Sequence, residues 1–136
     1  MKYYKVKEVI KDFTTLSLIV NENEKSILYE KIDNIQYFGV ETEDENFLSK
    51  QHPECEVVEM NFAEIQPILK ECNQMKCINS TVTAMIRQEY SMNDEAKWNT
   101  IGILNPANPD FIKFAQYKQK CREYGNEVKK QMGLIQ

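Results

Sequence analysis

The sequence has few of the residues on which common catalytic and ligand sites depend. It contains one histidine and four glycines, which stand apart from one another in the chain. Because a phosphate-binding loop needs several glycines close together, this class of nucleotide site is excluded. No apolar run reaches the roughly 18 residues that a membrane-spanning helix requires. The first residues, MKYYKVKEVIKDF, alternate charged and apolar side chains and therefore predict no signal peptide.

A metal site is not indicated by the histidine and the four cysteines. His52 and Cys55 have a His-x-x-Cys spacing with which a zinc site could begin. Further ligands would have to come from Cys72, Cys77 or Cys121. The first two of these would lie about 140° apart around a helix axis, so they cannot face one ion together. The sequence therefore predicts free thiols, no metal and no cofactor, and a lone loop histidine is no evidence for Cys–His catalysis.

Charge is distributed unevenly along the chain, although the net charge is only −4. Residues 1–66 carry 14 acidic and 7 basic side chains, whereas residues 67–136 carry 7 acidic and 10 basic ones. Eight carboxylates lie between Glu41 and Glu64, where Lys50 is the only base. An acidic protein meets a phosphate backbone poorly, so the composition disfavours direct nucleic-acid binding. The acidic stretch could instead face a basic partner, or simply keep a loop solvated.

The N-terminal part shows the two-residue period of β-strands. Lys2 to Val9 predicts a half-exposed strand with apolar side chains on one side and lysines on the other. Lys11-Asp12 predicts a turn, and Phe13 to Val20, which is rich in β-branched residues, predicts a more central strand. Cys55 to Met60 predicts a short strand that closes the sheet.

Between these strands, Ser26 to Glu41 predicts a β-hairpin about Asp33-Asn34. Both turn residues tolerate a left-handed backbone, which two-residue hairpin loops require. Such a loop would place Tyr29 opposite Phe38 on one face of the hairpin. The alternative interpretation is a short helix capped by Ser26.

From Asn61 onward the period changes to that of an α-helix. Asn61-x-x-Glu64 has the form of a helix cap, but Pro67 would then lie inside the helix, where it lacks a donor and clashes with the preceding turn. We therefore expect a turn over residues 61–65 and one long amphipathic helix from Pro67 to Tyr90.

Two further helices are predicted after this one. Ser91 can cap a second helix that runs to about Leu104. Asn108 and Pro109 begin the third, which Gly133 ends. The side chains available for burial in the second helix are Trp98, Ile101 and Leu104. Those that form the apolar stripe of the third helix are Phe111, Phe114, Tyr117, Cys121, Tyr124, Val128 and Met132.

These patterns together predict an α+β fold. An N-terminal antiparallel sheet of about four to five strands, within residues 1–60, precedes a C-terminal three-helix segment, within residues 61–136. Since each apolar stripe is too narrow to bury itself alone, the first and third helices are expected to form an antiparallel hairpin. The two parts form either one compact domain or two tightly coupled subdomains.

One segment, Ile86-Arg87-Gln88-Glu89-Tyr90-Ser91-Met92-Asn93-Asp94-Glu95, resembles a pattern in small proteins of bacteriophage and prophage tail regions. In those proteins Ile-Arg, Tyr-Ser and Asp-Glu mark a helix–cap–helix. A loop follows, and then a helix with an aromatic start like Phe111 to Tyr117 and a cysteine-containing continuation like Lys120-Cys121-Arg122. The likeness covers about residues 84–130. It implies a non-enzymatic phage protein that works inside the bacterial host or in the virion.

Two functions are compatible with this resemblance. The favoured one is a structural or assembly protein of the tail region, which binds a phage structural protein or forms homo-oligomers through its last helix. Its candidate partner-binding side chains are Phe111, Phe114, Tyr117 and Tyr124. The alternative is a small acidic inhibitor of a host defence nuclease, in which the acidic stretch occupies a basic nucleic-acid groove. Its candidate side chains are Glu41, Glu43, Asp44 and Glu45.

Overall fold

A computed structural model describes residues 1–11 and 14–136 of the chain, and the predicted α+β class is confirmed. The described residues divide into two compact units. The strand unit comprises Met1–Met75 together with Met132–Leu134 and Gln136, and the helical unit comprises Lys76–Gln131 together with Ile135. The strands give way to helices at Asn61, whereas the division between the compact units falls after Met75.

The regular elements follow one another in the order that the change of period predicts. The strands are β1 (Lys2–Lys7), β2 (Val9–Lys11), β3 (Thr14–Leu16), β4 (Lys25–Ile32), β5 (Ile35–Glu41) and β6 (Glu56–Met60). The helices are α1 (Phe62–Glu71), α2 (Asn73–Glu89), α3 (Met92–Leu104) and α4 (Pro109–Gln131). The part of the chain that the structure describes thus holds four helices, one more than predicted. None of them is both long enough and apolar enough to cross a membrane.

The main sheet has four antiparallel strands in the order β4-β5-β1-β6. Strand β1 is central, and Tyr4 and Val6 on it are buried while Lys5 and Lys7 are exposed, as the alternation predicts. The prediction of a central strand over Phe13 to Val20 is wrong. Among the described residues 14–20, only Thr14–Leu16 is a strand, and it pairs with β2 in a separate two-stranded sheet.

A tendency to form strands does not determine which strands pair, and the fully buried side chains of β1 take the central place instead. The predicted turn at Asp12 and the start of that strand at Phe13 lie outside the described residues.

The predicted hairpin between β4 and β5 is confirmed, and the alternative helix after Ser26 is not formed. Asp33 has a left-handed backbone with φ of 54° in the turn. The predicted pairing of Tyr29 with Phe38 is wrong, because an irregularity between Leu28 and Glu30 shifts the register and places Leu28 opposite Phe38. An irregularity of this kind, a β-bulge, changes the direction in which a side chain points. Here the extra residue is Tyr29, whose ring is buried and whose hydroxyl donates to the carbonyl of Met132 at 2.6 Å.

One face of the main sheet carries a buried cluster of Tyr4, Val40 and Phe47, in which the rings of Tyr4 and Phe47 lie 4.9 Å apart. Phe47 comes from the polar loop after β5, so this otherwise hydrophilic segment is anchored by one aromatic side chain.

Helix α1 begins at Phe62, so the expectation of a turn over residues 61–65 is wrong. The side chain of Asn61 accepts from the backbone N–H of Glu64 at 2.9 Å and completes a capping box. An interior proline such as Pro67 costs about 3 kcal/mol. The cap contributes about 1 kcal/mol, and complete burial of Ile65 and Leu69 adds about 1.5–3 kcal/mol each. These gains outweigh the cost of the proline.

The single long helix predicted from Pro67 to Tyr90 is interrupted at Cys72, which has an extended backbone. In an unbroken helix, side chains three positions apart point in directions that differ by about 60° around the axis, so a series of them turns away from one face. The break instead allows Leu69, Cys72 and Met75 all to be buried in the strand unit.

In the helical unit, the predicted starts of α3 and α4 and the predicted end of α4 are confirmed. Ser91 and Asp94 form a capping box in which the hydroxyl of Ser91 accepts from the N–H of Asp94 at 3.1 Å. The side chain of Asn108 accepts from the N–H of Asp110 at 3.0 Å. Gly133, with φ of 70°, follows the end of α4. Helices α2 and α4 run antiparallel, because Val82 packs beside Gly125 while the more distal Met85 meets Tyr117.

We expect Ser91→Ala to lower the free energy of unfolding by about 1 kcal/mol, because it removes the hydroxyl that caps α3. Chemical denaturation followed by circular dichroism measures this change. The matched control is Ser80→Ala at an exposed position within α2, where alanine favours the helix by a few tenths of a kcal/mol. An unchanged midpoint for the Ser91 variant would contradict the capping role.

Candidate functional site

The four aromatic side chains predicted to bind a partner differ in their accessibility. Phe114 is 1% exposed, and its ring packs edge-on against that of Tyr90 at 4.9 Å. Tyr117 is half-buried, and its hydroxyl donates to the carbonyl of Met85 at 2.6 Å. Both therefore hold α4 in place within the helical unit. Tyr124 is 51% exposed and is the most accessible of the four.

Phe111, the remaining aromatic candidate, is half-buried at the start of α4. Its ring lies so close to Gly102 on α3 that a Cβ at that position would collide with it. Gly102 thus permits close contact between the end of α3 and the start of α4. The ring of Phe111 also lines a surface groove with Ile112 and Ala115, which polar side chains border farther along α4.

The most exposed apolar side chains of the helical unit include three at the connection between α3 and α4. Ile103 is 82% exposed, Leu104 is 81% exposed and Ile112 is 41% exposed. We call these three residues the junction surface. Of the three, only Ile112 also lines the groove beside Phe111.

The expectation that Leu104 is buried is wrong. Because buried Gly102 faces α4, a residue two positions later lies about 200° around the helix axis and points away from it. In the sequence, the run Ile101-Gly102-Ile103-Leu104 indicates that one of its aliphatic side chains is exposed. Three aliphatic side chains so close together cannot all share one face of a helix.

A partly buried ion cluster links the three helices of the helical unit. The carboxylate of Glu95 on α3 accepts from Lys118 on α4 at 2.8 Å and from Arg87 on α2 at 2.5 Å. These two cations, Lys118 foremost, lower the pKa of Glu95 to about 2. The sequence pattern gives no indication of this cluster, since its members are separated by up to 31 positions on different helices.

We expect Glu95→Gln to destabilise the protein by about 1–2 kcal/mol near pH 7, since it leaves two cations without their shared carboxylate. A carboxylate with a lowered pKa contributes stability above its ordinary pKa of about 4.5, and this contribution is lost as the pH falls toward about 2. Denaturation midpoints of both proteins from pH 7 to pH 2 measure the difference, which should vanish at the acidic end. Glu127→Gln, at an exposed position on α4, is the control. A pH-independent difference would contradict the assignment.

The four acidic side chains predicted to bind a partner are not equivalent. Glu41 and Glu43 are exposed and line a groove of the strand unit together with Glu24, which sequence reasoning did not include. Asp44 is engaged within its own loop, where it accepts from the ammonium of Lys50, and this hydrogen bond lowers its pKa. Glu45 is exposed farther along that loop.

The hydroxyl of Thr42 donates to the carboxylate of Glu24 at 2.7 Å. This contact fixes the side chain of Glu24 in the groove, whereas the side chains of Glu41 and Glu43 are exposed.

The histidine and the cysteines do not form a common site, although Cys77 lines a small groove with Tyr124. His52 is half-buried in the loop before β6. Cys72 and Cys121 are buried, Cys55 is half-buried and Cys77 is exposed, and all four are free thiols. Among residues 1–11 and 14–136, no group of three side chains with metal-binding atoms converges on one point.

The fold and these surfaces define an α+β protein whose helical unit presents an exposed aliphatic junction and whose strand unit presents an acidic groove. Comparison with protein-family models, curated proteins and solved structures finds no match to this chain.

Proposed function

We propose that this chain is a non-enzymatic structural or assembly protein of a bacteriophage or prophage tail region, and that it joins copies of itself through its helical unit. The junction surface is the observation that carries this proposal. Ile103 and Leu104 each expose more than four-fifths of their surface. Burial of one such side chain contributes about 1.5–3 kcal/mol. Exposed apolar clusters of this kind typically mark sites of protein association.

The elements around the junction surface support a binding role. Helix α3 is fixed at its start by the Ser91 cap and along its length by the Glu95 ion cluster. Its end is fixed against α4 by the contact of Gly102 with Phe111. A surface held on rigid helices loses little conformational freedom when it binds, which favours association. The segment that resembles tail-region proteins includes this same cap.

The titratable groups with shifted pKa values support a role without catalysis. Glu95 forms ion pairs with two neighbouring cations, and Asp94 accepts from the backbone N–H of Ser91 in the α3 cap. Buried Tyr29 donates to a main-chain carbonyl. Hydrogen bonds in the cap and in the ion cluster explain the lowered pKa values of Asp94 and Glu95, and burial explains the raised pKa of Tyr29.

A second copy is the expected partner because an aliphatic surface is complementary to itself. Two copies related by a two-fold axis would bring the same residues together, which is the commonest arrangement in homo-oligomers.

We expect Leu104→Asp to weaken self-association by about 100-fold or more, because a two-fold interface loses about 1.5–3 kcal/mol of burial at each of its two Leu104 side chains. Sedimentation velocity over a concentration series measures the constant. The matched control is Leu48→Asp, at an apolar position of the strand unit that is 41% exposed. It should leave association unchanged, and both variants should keep the wild-type circular dichroism. Equal association of all three proteins would contradict the proposal.

The acidic groove favours a second candidate function, inhibition of a host nuclease through a basic groove on that enzyme. Glu41 and Glu43 are available for such a contact. In this case Glu41→Gln together with Glu43→Gln should weaken the complex, and affinity should fall steeply between low and physiological salt. Association through the junction surface should change little with salt, so a salt titration separates the two functions.

A further inference from the structure

The main sheet has two edge strands, and one of them is protected against pairing with another chain. Strand β4, at the first edge, has an irregularity between Leu28 and Glu30. The side chain of Gln74 donates to the carbonyl of Leu28 at 2.8 Å. The strand also carries Lys25 and Lys31. Lysines, irregularities and covering groups are the usual means by which proteins prevent an edge strand from pairing.

Strand β6, at the other edge, lacks this protection. It pairs with β1 in an unbroken register, from Glu56 opposite Lys7 to Met60 opposite Tyr3, and it contains neither lysine nor proline. Within residues 1–11 and 14–136, β1 is its only strand partner, and no main-chain group of any other element hydrogen-bonds to residues 56–60. One row of its backbone N–H and C=O groups is therefore available to another strand.

The side chains of β6 are those of a strand at an open edge. Val58, at its centre, is 44% exposed although it lies opposite Lys5 of β1. Glu56 and Glu59 are exposed as well. A further strand beside β6 would cover apolar surface of Val58 that its present neighbours leave in contact with solvent.

A second copy of β6 is complementary to this edge. An antiparallel pair with its two-fold axis at Val58 uses all five residues of the strand and places Val58 opposite Val58 of the second copy. Glu56 then lies opposite Met60, and Val57 lies opposite Glu59. No two carboxylates are directly opposite, which is the arrangement that destabilises a strand pair. The Glu59 carboxylates of the two copies lie on a diagonal of about 7–8 Å, where water weakens their repulsion.

We propose that β6 pairs with β6 of a second copy, antiparallel and about Val58, so that the two main sheets become one continuous sheet. This contact goes beyond the proposed function, because it lies in the strand unit and needs no residue of the junction surface. Both contacts are two-fold, and either alone stops at a dimer. Together they join copies into a larger assembly. A five-residue strand forms few hydrogen bonds, so we expect the β6 contact to be the weaker one.

Charge substitutions at position 58 of the full-length chain test the pairing. Since the axis places this residue opposite itself, Val58→Lys alone and Val58→Glu alone each bring like charges together. An equimolar mixture of the two variants places a lysine opposite a glutamate. We expect the mixture to associate at least about tenfold more tightly than either variant alone, as measured by sedimentation velocity. Equal association of the mixture and the separate variants would overturn the proposal.

The matched control is the same pair of substitutions at Ile32, which is 46% exposed on the protected edge strand β4. Mixing Ile32→Lys with Ile32→Glu should leave association unchanged. All of these proteins also carry Leu104→Asp, so that the junction surface does not contribute. An equal gain on mixing at both positions would show unspecific charge attraction and would overturn the proposal.

A parallel series with Leu104 intact distinguishes this inference from the proposed function. If mixing at position 58 strengthens association but Leu104→Asp by itself does not weaken it, the pairing of β6 stands and the junction surface is not an interface. If Leu104→Asp weakens association and mixing at position 58 has no effect, the proposed function stands and the pairing is overturned.

A cysteine at position 58 gives a second readout. Cβ atoms of directly opposite residues lie about 4.5–5.5 Å apart, close to the distance that a disulfide spans. Val58→Cys, with the exposed Cys77 replaced by serine, should form covalent dimers on oxidation, whereas Ile32→Cys in the same background should form few. Equal yields from both variants would contradict the pairing and would leave an extended segment of another protein as the better candidate for this edge.

Discussion

Replacement of Phe114 by alanine is expected to lower the free energy of unfolding by about 3–5 kcal/mol, the largest loss that a single substitution in the helical unit should produce. The ring is 1% exposed and packs edge-on against Tyr90. It also lies 6.5 Å from the ring of Phe111. Truncation therefore removes buried area and aromatic contacts and leaves a cavity among these residues. Urea denaturation followed by circular dichroism measures the change.

The matched control for Phe114→Ala is Ile112→Ala on the same helix, at a position that is 41% exposed. Since less buried surface is lost there, the control should cost about 1 kcal/mol or less. Phe114→Leu should fall between the two. If Phe114→Ala cost no more than the Ile112 control, Phe114 would not be part of the core, and its role as a direct partner-binding residue would become the better interpretation.

Leu69→Ala is expected to lower the free energy of unfolding by about 2–5 kcal/mol through a cavity in the strand unit. Leu69 is completely buried in the last turn of α1, next to the buried Cys72. The experiment also tests why α1 tolerates Pro67, because burial of Leu69 is one of the gains that outweigh the proline. Thermal and urea denaturation of the variant measure the loss.

The control for Leu69→Ala is Leu28→Ala on strand β4, where the side chain is 44% exposed. It should cost about 1 kcal/mol or less. A Leu69 variant as stable as the Leu28 control would mean that α1 does not pack on the sheet through this side chain. The start of the helix at Phe62 would then lack its energetic explanation.

Local signals in the sequence predicted much of the fold because their physical causes are local. Ser91 and Asn108 cap the helices that follow them, since their side chains bond to backbone groups two or three residues away. Asp33 takes the left-handed conformation that the hairpin turn requires. The alternation along β1 also predicts that Tyr4 and Val6 are buried and that Lys5 and Lys7 are exposed, although Tyr3 on the lysine side is buried too.

Long-range packing determined the features that the sequence did not predict. Pro67 argued locally against a helix start at Phe62, but the burial of Ile65 and Leu69 is a tertiary gain. The composition of the segment from Phe13 to Val20 could not predict its strand partner, because packing across the whole sheet determines which strands pair. The register of β4 depends on Tyr29, whose partner Met132 lies 103 residues away.

The candidate sites also combine features that the local sequence predicts with features that the fold determines. The acidic stretch was visible in the sequence, but the partnership of Glu41 and Glu43 with Glu24 arises from the fold. The aromatic stripe of α4 was visible as well, although periodicity alone does not separate buried Phe114 from exposed Tyr124. The run Ile101-Gly102-Ile103-Leu104 indicates that one of its aliphatic side chains is exposed, but the contact of Gly102 with α4, which selects Leu104, arises from the fold.

The proposal that the junction surface joins copies of this chain is tested most directly by methyl NMR of the full-length protein over a concentration series. The methyl signals of Ile103, Leu104 and Ile112 should shift and broaden as concentration rises, whereas those of exposed Leu28 and Leu48 should stay constant. Leu104→Asp should abolish the change at Ile103 and Ile112. Constant junction signals at all concentrations, or changes confined to the strand unit, would contradict the proposed function.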